Sequence, residues 1–280
     1  MSLPTVKGIG TFYREYGDNK KGHVLFIHGL GSSSLRWVDI PEALSNYFHT
    51  ITVDLIGSGL SEKPHNADYT IKGLSKFIVD FLIETIGIMN KEHKKISIVG
   101  HSLGGYIAAQ VAIENKEMIE KLVLIDSSGL LEEPTQLLKD YRVAATDINP
   151  LTRHERVKRV LEDLYASPSR LLPVLVDLFG YIIEKPGAKH AFEVAFDNST
   201  TTQIDANGFK KIEDIPCLII WGEKDNLIPI EYYYKFKQLL PKAKYEIIPD
   251  AGHAPFVEKT ALVYEKLRTF LMQDEILDNH

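Results

Sequence analysis

Ile96-Ser97-Ile98-Val99-Gly100-His101-Ser102-Leu103-Gly104-Gly105 is the stretch that decides the fold of this chain. An apolar run ends in Gly-x-Ser-x-Gly and passes straight into the Ala/Ile-rich segment Leu103 to Asn115. Together these predict a buried strand, a tight turn and a helix, with the Ser102 hydroxyl presented at the apex. A turn this sharp holds the serine in a sparsely populated backbone conformation. Gly100 and Gly104 flank it because a Cβ at either place would meet the neighbouring strand or helix. Ser102 is therefore the candidate nucleophile.

Outward from this turn, short apolar runs recur: Val24 to Ile27, Ile51 to Asp54, Leu122 to Ile125, Leu218 to Trp221 and Tyr245 to Ile248. They are rich in β-branched residues and do not alternate strictly, which suits strands covered on both faces of a parallel sheet. Gly10 to Gly17 does alternate and predicts antiparallel edge strands with the residues before it. Helical patterns lie between the runs, over Trp37 to Tyr47, Ile71 to Ile88, Leu103 to Asn115, Glu231 to Leu240 and Val257 to Met272. Strand and helix in alternation predict an α/β architecture, a mostly parallel doubly wound sheet of about eight strands.

One stretch breaks the rhythm. From Ser128 to Gly208 there is no strand run, only Leu-rich helical patterns punctuated by Pro134, Pro150, Pro168, Pro173 and Pro186. A structureless loop of that length inside a compact domain is improbable, so the segment reads as a helical insertion. The division expected is a core of residues 1–127 and 209–280, with a helical cap over 128–208. Tyr165, Leu171, Leu172, Leu175, Phe179, Tyr181, Phe192 and Phe196 give that cap its apolar content, and those facing Ser102 would wall a substrate pocket. The tail Asp274 to His280 is polar and expected to fray.

Composition narrows the function. Over 280 residues, 44% are hydrophobic and 25% charged, the balance of an ordinary globular protein. A formal net charge of −6 argues against nucleic acid, whose phosphates call for a basic face. The basic run Arg153 to Arg159 is interrupted by Glu155 and reads as a solvated helix face. Cys217 is the single cysteine, in an apolar strand, which excludes an internal disulfide and a cysteine-based zinc cluster. No window reaches the ~18 consecutive apolar residues of a membrane span. A cytoplasmic protein with no membrane partner is the simplest expectation.

A serine hydroxyl needs a base to take its proton, and the base needs a carboxylate to orient it. His253 sits where a strand run ends, in Ile247-Ile248-Pro249-Asp250-Ala251-Gly252-His253-Ala254-Pro255-Phe256. Two carboxylates follow Ser102 and precede His253 at strand ends: Asp225 in Trp221 to Pro229, and Asp126 after Leu124-Ile125. Asp225 is preferred because its loop follows the strand next to that of His253; Asp126 remains open, and Glu223 is a weaker third. Donors for a developing oxyanion are expected from the backbone N–H groups of Leu103 and Leu30, the latter in His28-Gly29-Leu30-Gly31. Gly29, His101, Phe179 and Phe256 are expected to line the substrate site. Asp54 to Ser61 lacks a phosphate-binding glycine register and reads as a scaffold turn. No helical His pair or Cys/His cluster points to a metal.

His28 to Gly31, Asp54 to Ser61, Gly100 to Gly105, Trp221 to Pro229 and Gly252 to Phe256, in that order, resemble the α/β-hydrolase superfamily, in particular its members with a helical cap. The resemblance spans nearly the whole chain. It implies acyl transfer without a cofactor, with Ser102, Asp225 and His253 as a catalytic triad and a small-molecule ester as the partner. Relatives such as haloalkane dehalogenases and epoxide hydrolases carry an aspartate nucleophile, against which Ser102 speaks. Relatives that hydrolyse carbon–carbon bonds of ring-cleavage dienones usually have Asn before the serine and Trp after the histidine. Here those places hold His101 and Ala254, so the Gly-His-Ser-Leu-Gly-Gly form is nearer to carboxylesterases. A carbon–carbon hydrolase with the same triad is the runner-up, and a silent ligand-binding protein on the scaffold is the reading from a different class.

Overall fold

The computed structural model describes residues 3–17, 22–37, 39–87, 95–168, 171 and 173–273. Ile88, Leu172 and the tail Asp274 to His280 lie outside the described residues. Every apolar run forms a strand. In chain order these are β1 (Thr5–Val6), β2 (Ile9–Gly10), β3 (Tyr13–Tyr16), β4 (His23–Ile27) and β5 (His49–Val53). They are followed by β6 (Ile96–His101), β7 (Ile119–Ile125), β8 (Cys217–Gly222) and β9 (Lys244–Ile248). Seven of them make one sheet in the order β3-β5-β4-β6-β7-β8-β9. All its pairings are parallel except that of β3 with β5, where Tyr13 to Tyr16 run antiparallel at the edge. The remaining N-terminal residues do not extend this edge: β1 and β2 form a separate two-stranded ribbon.

The strands β4, β6 and β8 are buried at every position, as their unbroken apolar composition requires. Helices cover the faces: α1 (Ile40–Leu44), α2 (Ile71–Phe81) and α3 (Leu103–Glu114) follow β4, β5 and β6. The expected helix over Trp37 to Tyr47 is split. Ser34–Trp37 forms its own 3-10 turn, and Pro41 sits in the first turn of α1, where its missing N–H is no loss. Thr70 caps α2 by accepting from the Gly73 N–H at 3.1 Å.

Between β7 and β8 the described chain is helical: α4 (Gln136–Thr146), α5 (Pro150–Asp163), α6 (Pro173–Ile183), α7 (Ala188–Thr201) and α8 (Ala206–Lys211). Pro150 and Pro173 occupy first positions of helices, so these prolines start elements instead of breaking them. Thr135, Asn149 and Asp205 accept the capping bonds at the starts of α4, α5 and α8. After β8 come α9 (Glu231–Leu239), then, past β9, α10 (Pro255–Glu258) and α11 (Thr260–Met272). The expected single helix over Val257 to Met272 is interrupted at Lys259, whose backbone (φ −133°, ψ 47°) leaves the helical region. No helix among the described residues is long and apolar enough to cross a membrane.

The strand order reverses at β4. The chain passes from β4 to β5 on one side and returns to β6 on the other. In open parallel sheets the crevice beyond the carboxyl ends of the strands at such a reversal is where ligands bind. The loops that open there, after β4 and after β6, carry Gly29 to Ser33 and Ser102.

Candidate active site

Ser102 stands between β6 and α3 with φ 54° and ψ −119°, a conformation that L residues rarely adopt. Holding it costs roughly 1–3 kcal/mol, recovered from the contacts that pin the turn. Those contacts come from β7 and its exit: Ser102 N–H donates to the Ile125 carbonyl at 3.0 Å, and Ser128 N–H to the Ser102 carbonyl at 3.1 Å. A Cβ at Gly100 would run into the Gly104 carbonyl, and one at Gly104 into the carbonyls of Ile27 and His28. The glycines are required by close approach, as the sequence suggested.

His253 lies in the loop between β9 and α10 and is buried. Its Nδ1 is 2.7 Å from Asp225 Oδ2. The other oxygen of Asp225 accepts from the N–H groups of Leu227 and Ile228 at 2.8 and 3.0 Å. Asp225 is thus fixed by its own loop, with one oxygen left for the imidazole. A carboxylate there stabilises the Nδ1–H tautomer, which turns Nε2 into the basic nitrogen. Ser102 and His253 line one cavity together with Gly29, Leu30 and His101.

Asp126 also reaches this cluster. Asp126, Asp225 and His253 bring three side-chain ligand atoms within 4.8 Å of one another. Asp126 Oδ1 accepts from the Gly222 N–H at 2.8 Å, while Oδ2 is buried with no donor directed at it. Burial first, and the neighbouring Asp225 second, push the Asp126 carboxyl well above the usual carboxylate range. A neutral Asp126 has a proton to donate to Asp225. Of the two acids, Asp225 is the one beside the imidazole, and Asp126 lies behind it. Glu223 points elsewhere and accepts from the Asp250 N–H.

This arrangement makes a prediction about stability. A carboxyl whose folded pKa is raised stabilises fully below its unfolded value, and that contribution is lost as pH rises towards the folded value. Asn at position 126 does not titrate. The difference in Tm between Asp126→Asn and wild type should grow in favour of the variant from pH 4 to pH 8. A difference independent of pH would contradict a neutral Asp126.

The loop after β4 is held from below and from above. His28 Nδ1–H donates to the Gly29 carbonyl at 2.8 Å, and His28 Nε2 accepts from the Leu55 N–H at 3.1 Å. Asp54 accepts from the N–H groups of Ser34 and Leu60 at 2.6 and 2.7 Å. Lys63 Nζ donates to the Gly59 and Ser61 carbonyls, and burial lowers its pKa to about 8. The segment Asp54 to Ser61 is thus a scaffold that braces the Gly29–Ser33 loop. From the other side, Tyr141 of α4 donates to the Leu30 carbonyl at 3.2 Å. Leu103, the first residue of α3, has an N–H with no acceptor inside its own helix.

Other expected residues divide. Gly29, Leu30 and Phe179 line the cavity, and so does His101, which also donates from Nε2 to the His253 carbonyl at 2.7 Å. Burial keeps His101 neutral by driving its pKa well below the ordinary value. Phe256 does not line the cavity, which corrects the expectation. The start of α10 turns it inward, where its ring lies 4.4 Å from that of Trp37 and 4.8 Å from that of His101. Leu227 lies on the wall instead, with Leu138, Leu164 and Leu175. Of the aromatic residues in the helical segment, Phe179 faces the cavity and Phe192 an adjoining hollow, whereas Tyr181 is exposed.

Arg36, Tyr141 and Glu258 also shape the site, although no local pattern marks them. Glu258 is buried and accepts from the N–H groups of Gly252 and Ala166 at 2.6 and 3.0 Å, tying the His253 loop to the end of α5. His253 N–H itself donates to the Leu164 carbonyl at 2.7 Å. Glu258 stands five residues past His253, and only that proximity could have drawn notice.

Known proteins share this chain's sequence pattern and its fold. A family profile described as alpha/beta hydrolase fold matches residues 22–260. The chain is 28% identical to Lipase 1 of Psychrobacter immobilis over 96% of this chain and 84% of that protein. It is 26% identical to a 2-hydroxy-6-oxo-6-(2'-aminophenyl)hexa-2,4-dienoic acid hydrolase of Metapseudomonas resinovorans, over 90% of this chain and 83% of that protein. Among solved structures, a meta-cleavage product hydrolase from Pseudomonas fluorescens superposes with a TM-score of 0.83 at 22% identity, covering 97% of each chain.

Proposed function

This chain belongs to the α/β-hydrolase fold family, and from that premise we propose that it is a serine carboxylesterase acting on small-to-medium, moderately apolar esters. The observation that carries the reading is the 2.7 Å bond between His253 Nδ1 and Asp225, beside a cavity that both His253 and Ser102 line. We take residues 128–208 as a cap over a core of 1–127 and 209–280.

In this reading Ser102 Oγ attacks the ester carbonyl carbon as His253 Nε2 takes its proton. The N–H groups of Leu30 and Leu103 hold the oxyanion of the tetrahedral intermediate. Collapse breaks the bond to the alcohol oxygen, which leaves with the proton from His253. Water then attacks the acyl-enzyme with His253 again as base, and the acid departs as Ser102 regains its proton. Substrate and water apart, each step uses this chain's own groups. The single buried Cys217 forms no disulfide with another cysteine of the chain, in keeping with a reducing compartment, and we place the enzyme in the cytoplasm.

Hydrolysis of a carbon–carbon bond in a dienone is the second reading, favoured by the likeness to ring-cleavage hydrolases. His101 and Ala254, where such enzymes usually carry Asn and Trp, weigh against it. Turnover of a series of p-nitrophenyl esters, set beside a ring-cleavage dienone, separates the two. The esterase reading expects ester kcat/KM well above that for the dienone, and the reverse ranking would replace it. A scaffold that only binds ligand would turn over neither.

A further inference from the structure

The cavity beside Ser102 carries one permanent charge. Among its lining residues Arg36 is the one guanidinium, and none is Lys, Asp or Glu. It projects from the 3-10 turn Ser34–Trp37, directly after the Gly29–Ser33 loop. Its guanidinium carbon is 5.9 Å from the centre of the Tyr165 ring, beyond the end of α5. It lines the cavity together with His101 of the core and Tyr141 of α4. The charge therefore sits between core and cap, at the site itself.

Among the described residues no carboxylate pairs with Arg36. By contrast Arg142, Arg153, Arg156 and Arg268 each close on an acid. Leucines, Phe179 and Ile182 make up much of the lining, and no carboxylate lines the cavity. A half-buried guanidinium without a counter-ion favours a ligand that supplies one, and its planar fork suits carboxylate and phosphate oxygens.

The adjoining hollow differs in kind. Leu55, Ile56, Tyr69, Leu103 and Phe192 are among its walls, and none of its lining residues is charged. It lies on the Leu103 side and shares Leu30 and Gly31 with the cavity, whereas His253 lines only the cavity. A leaving alcohol must depart near His253 to receive its proton. The alcohol portion therefore belongs in the lobe with Arg36, and the acyl chain in the uncharged hollow.

We propose that the preferred substrates are esters of an apolar acyl group with an alcohol that bears a carboxylate or phosphate, and that Arg36 receives this anion. The proposal rests on the esterase reading. Arg36 is a specificity-determining residue here and takes no part in the bond changes.

The test uses butyrate esters of linear alcohols ending in a carboxylate, a phosphate or a neutral amide, with released acid titrated directly. Wild type should favour at least one anionic ester over the neutral one by about tenfold or more in kcat/KM, or ~1.4 kcal/mol. That ratio should collapse in Arg36→Met, be partly kept in Arg36→Lys, and shrink as salt is raised, since the contact is only half-buried. Preference for the carboxylate or for the phosphate ester identifies which anion is read. Equal turnover of all esters by wild type, or a ratio that survives in Arg36→Met, overturns the proposal while leaving the esterase reading intact. If no ester is turned over, the esterase reading itself fails. Should Arg36→Met not fold, the wild-type ratio and its salt dependence decide.

Discussion

Ser102→Ala is expected to lower kcat for ester hydrolysis by about 10⁵–10⁶-fold, because nucleophile and base act as one unit and neither substitutes for the other. Folding should survive. Alanine at φ 54° carries the same backbone strain as serine, and the bonds that pin this turn run through the backbone of residue 102. The variant should therefore melt at or slightly above the wild-type temperature, a dissociation of stability from activity common at strained sites. Residual turnover would come from the oxyanion donors and from binding alone. Steady-state kinetics and a thermal melt on the same preparation check both halves. A folded variant with near-wild-type turnover would remove Ser102 from the chemistry.

The second large effect belongs to the acid. Asp225→Asn should lower kcat by ~10⁴-fold, since an amide facing His253 favours the wrong tautomer. Asp225 already spends one oxygen on Leu227 and Ile228, so an asparagine that keeps those two bonds must present its NH₂ to the imidazole. Nε2 then carries the proton, and the base is lost. Asp126→Asn should cost less than about tenfold, because asparagine can still accept from Gly222 and still donate towards Asp225. Measuring kcat for the two variants side by side separates the roles. A dead Asp126→Asn with an active Asp225→Asn would invert the assignment.

Much of the core could be read directly from residues, and the reasons are physical. A strand buried on both faces must be apolar throughout, so Val24 to Ile27 and Leu218 to Trp221 announced themselves. The elbow was legible because close approach leaves glycine as the only choice at Gly100 and Gly104. The positions of Asp225 and His253 followed from adjacent strand ends, an arrangement that β8 and β9 realise.

The helical segment was legible only as helical. Its periodicity distinguishes an apolar face from a polar one, but not which apolar face looks down at Ser102. Phe179 and Phe196 had equal claims by composition, yet only the former lines the cavity. Phe256 was expected on the wall. The short turn of α10 sends it under His101 instead, and Leu227 occupies the wall. Arg36, Tyr141 and Glu258 act through tertiary contacts between segments far apart in the chain, and local sequence carries no trace of such pairings. Likewise the protonation of Asp126 depends on its depth and on the charge of Asp225, which only the folded packing supplies.

The central claim is that Ser102 is made nucleophilic by His253. Treating the folded protein with a fluorophosphonate and mapping the adduct by mass spectrometry tests it most directly. The account predicts a single stoichiometric adduct on the peptide containing Ser102, absent from Ser102→Ala and formed far more slowly by His253→Ala. An adduct on another residue, or none on the folded wild-type protein, would contradict it.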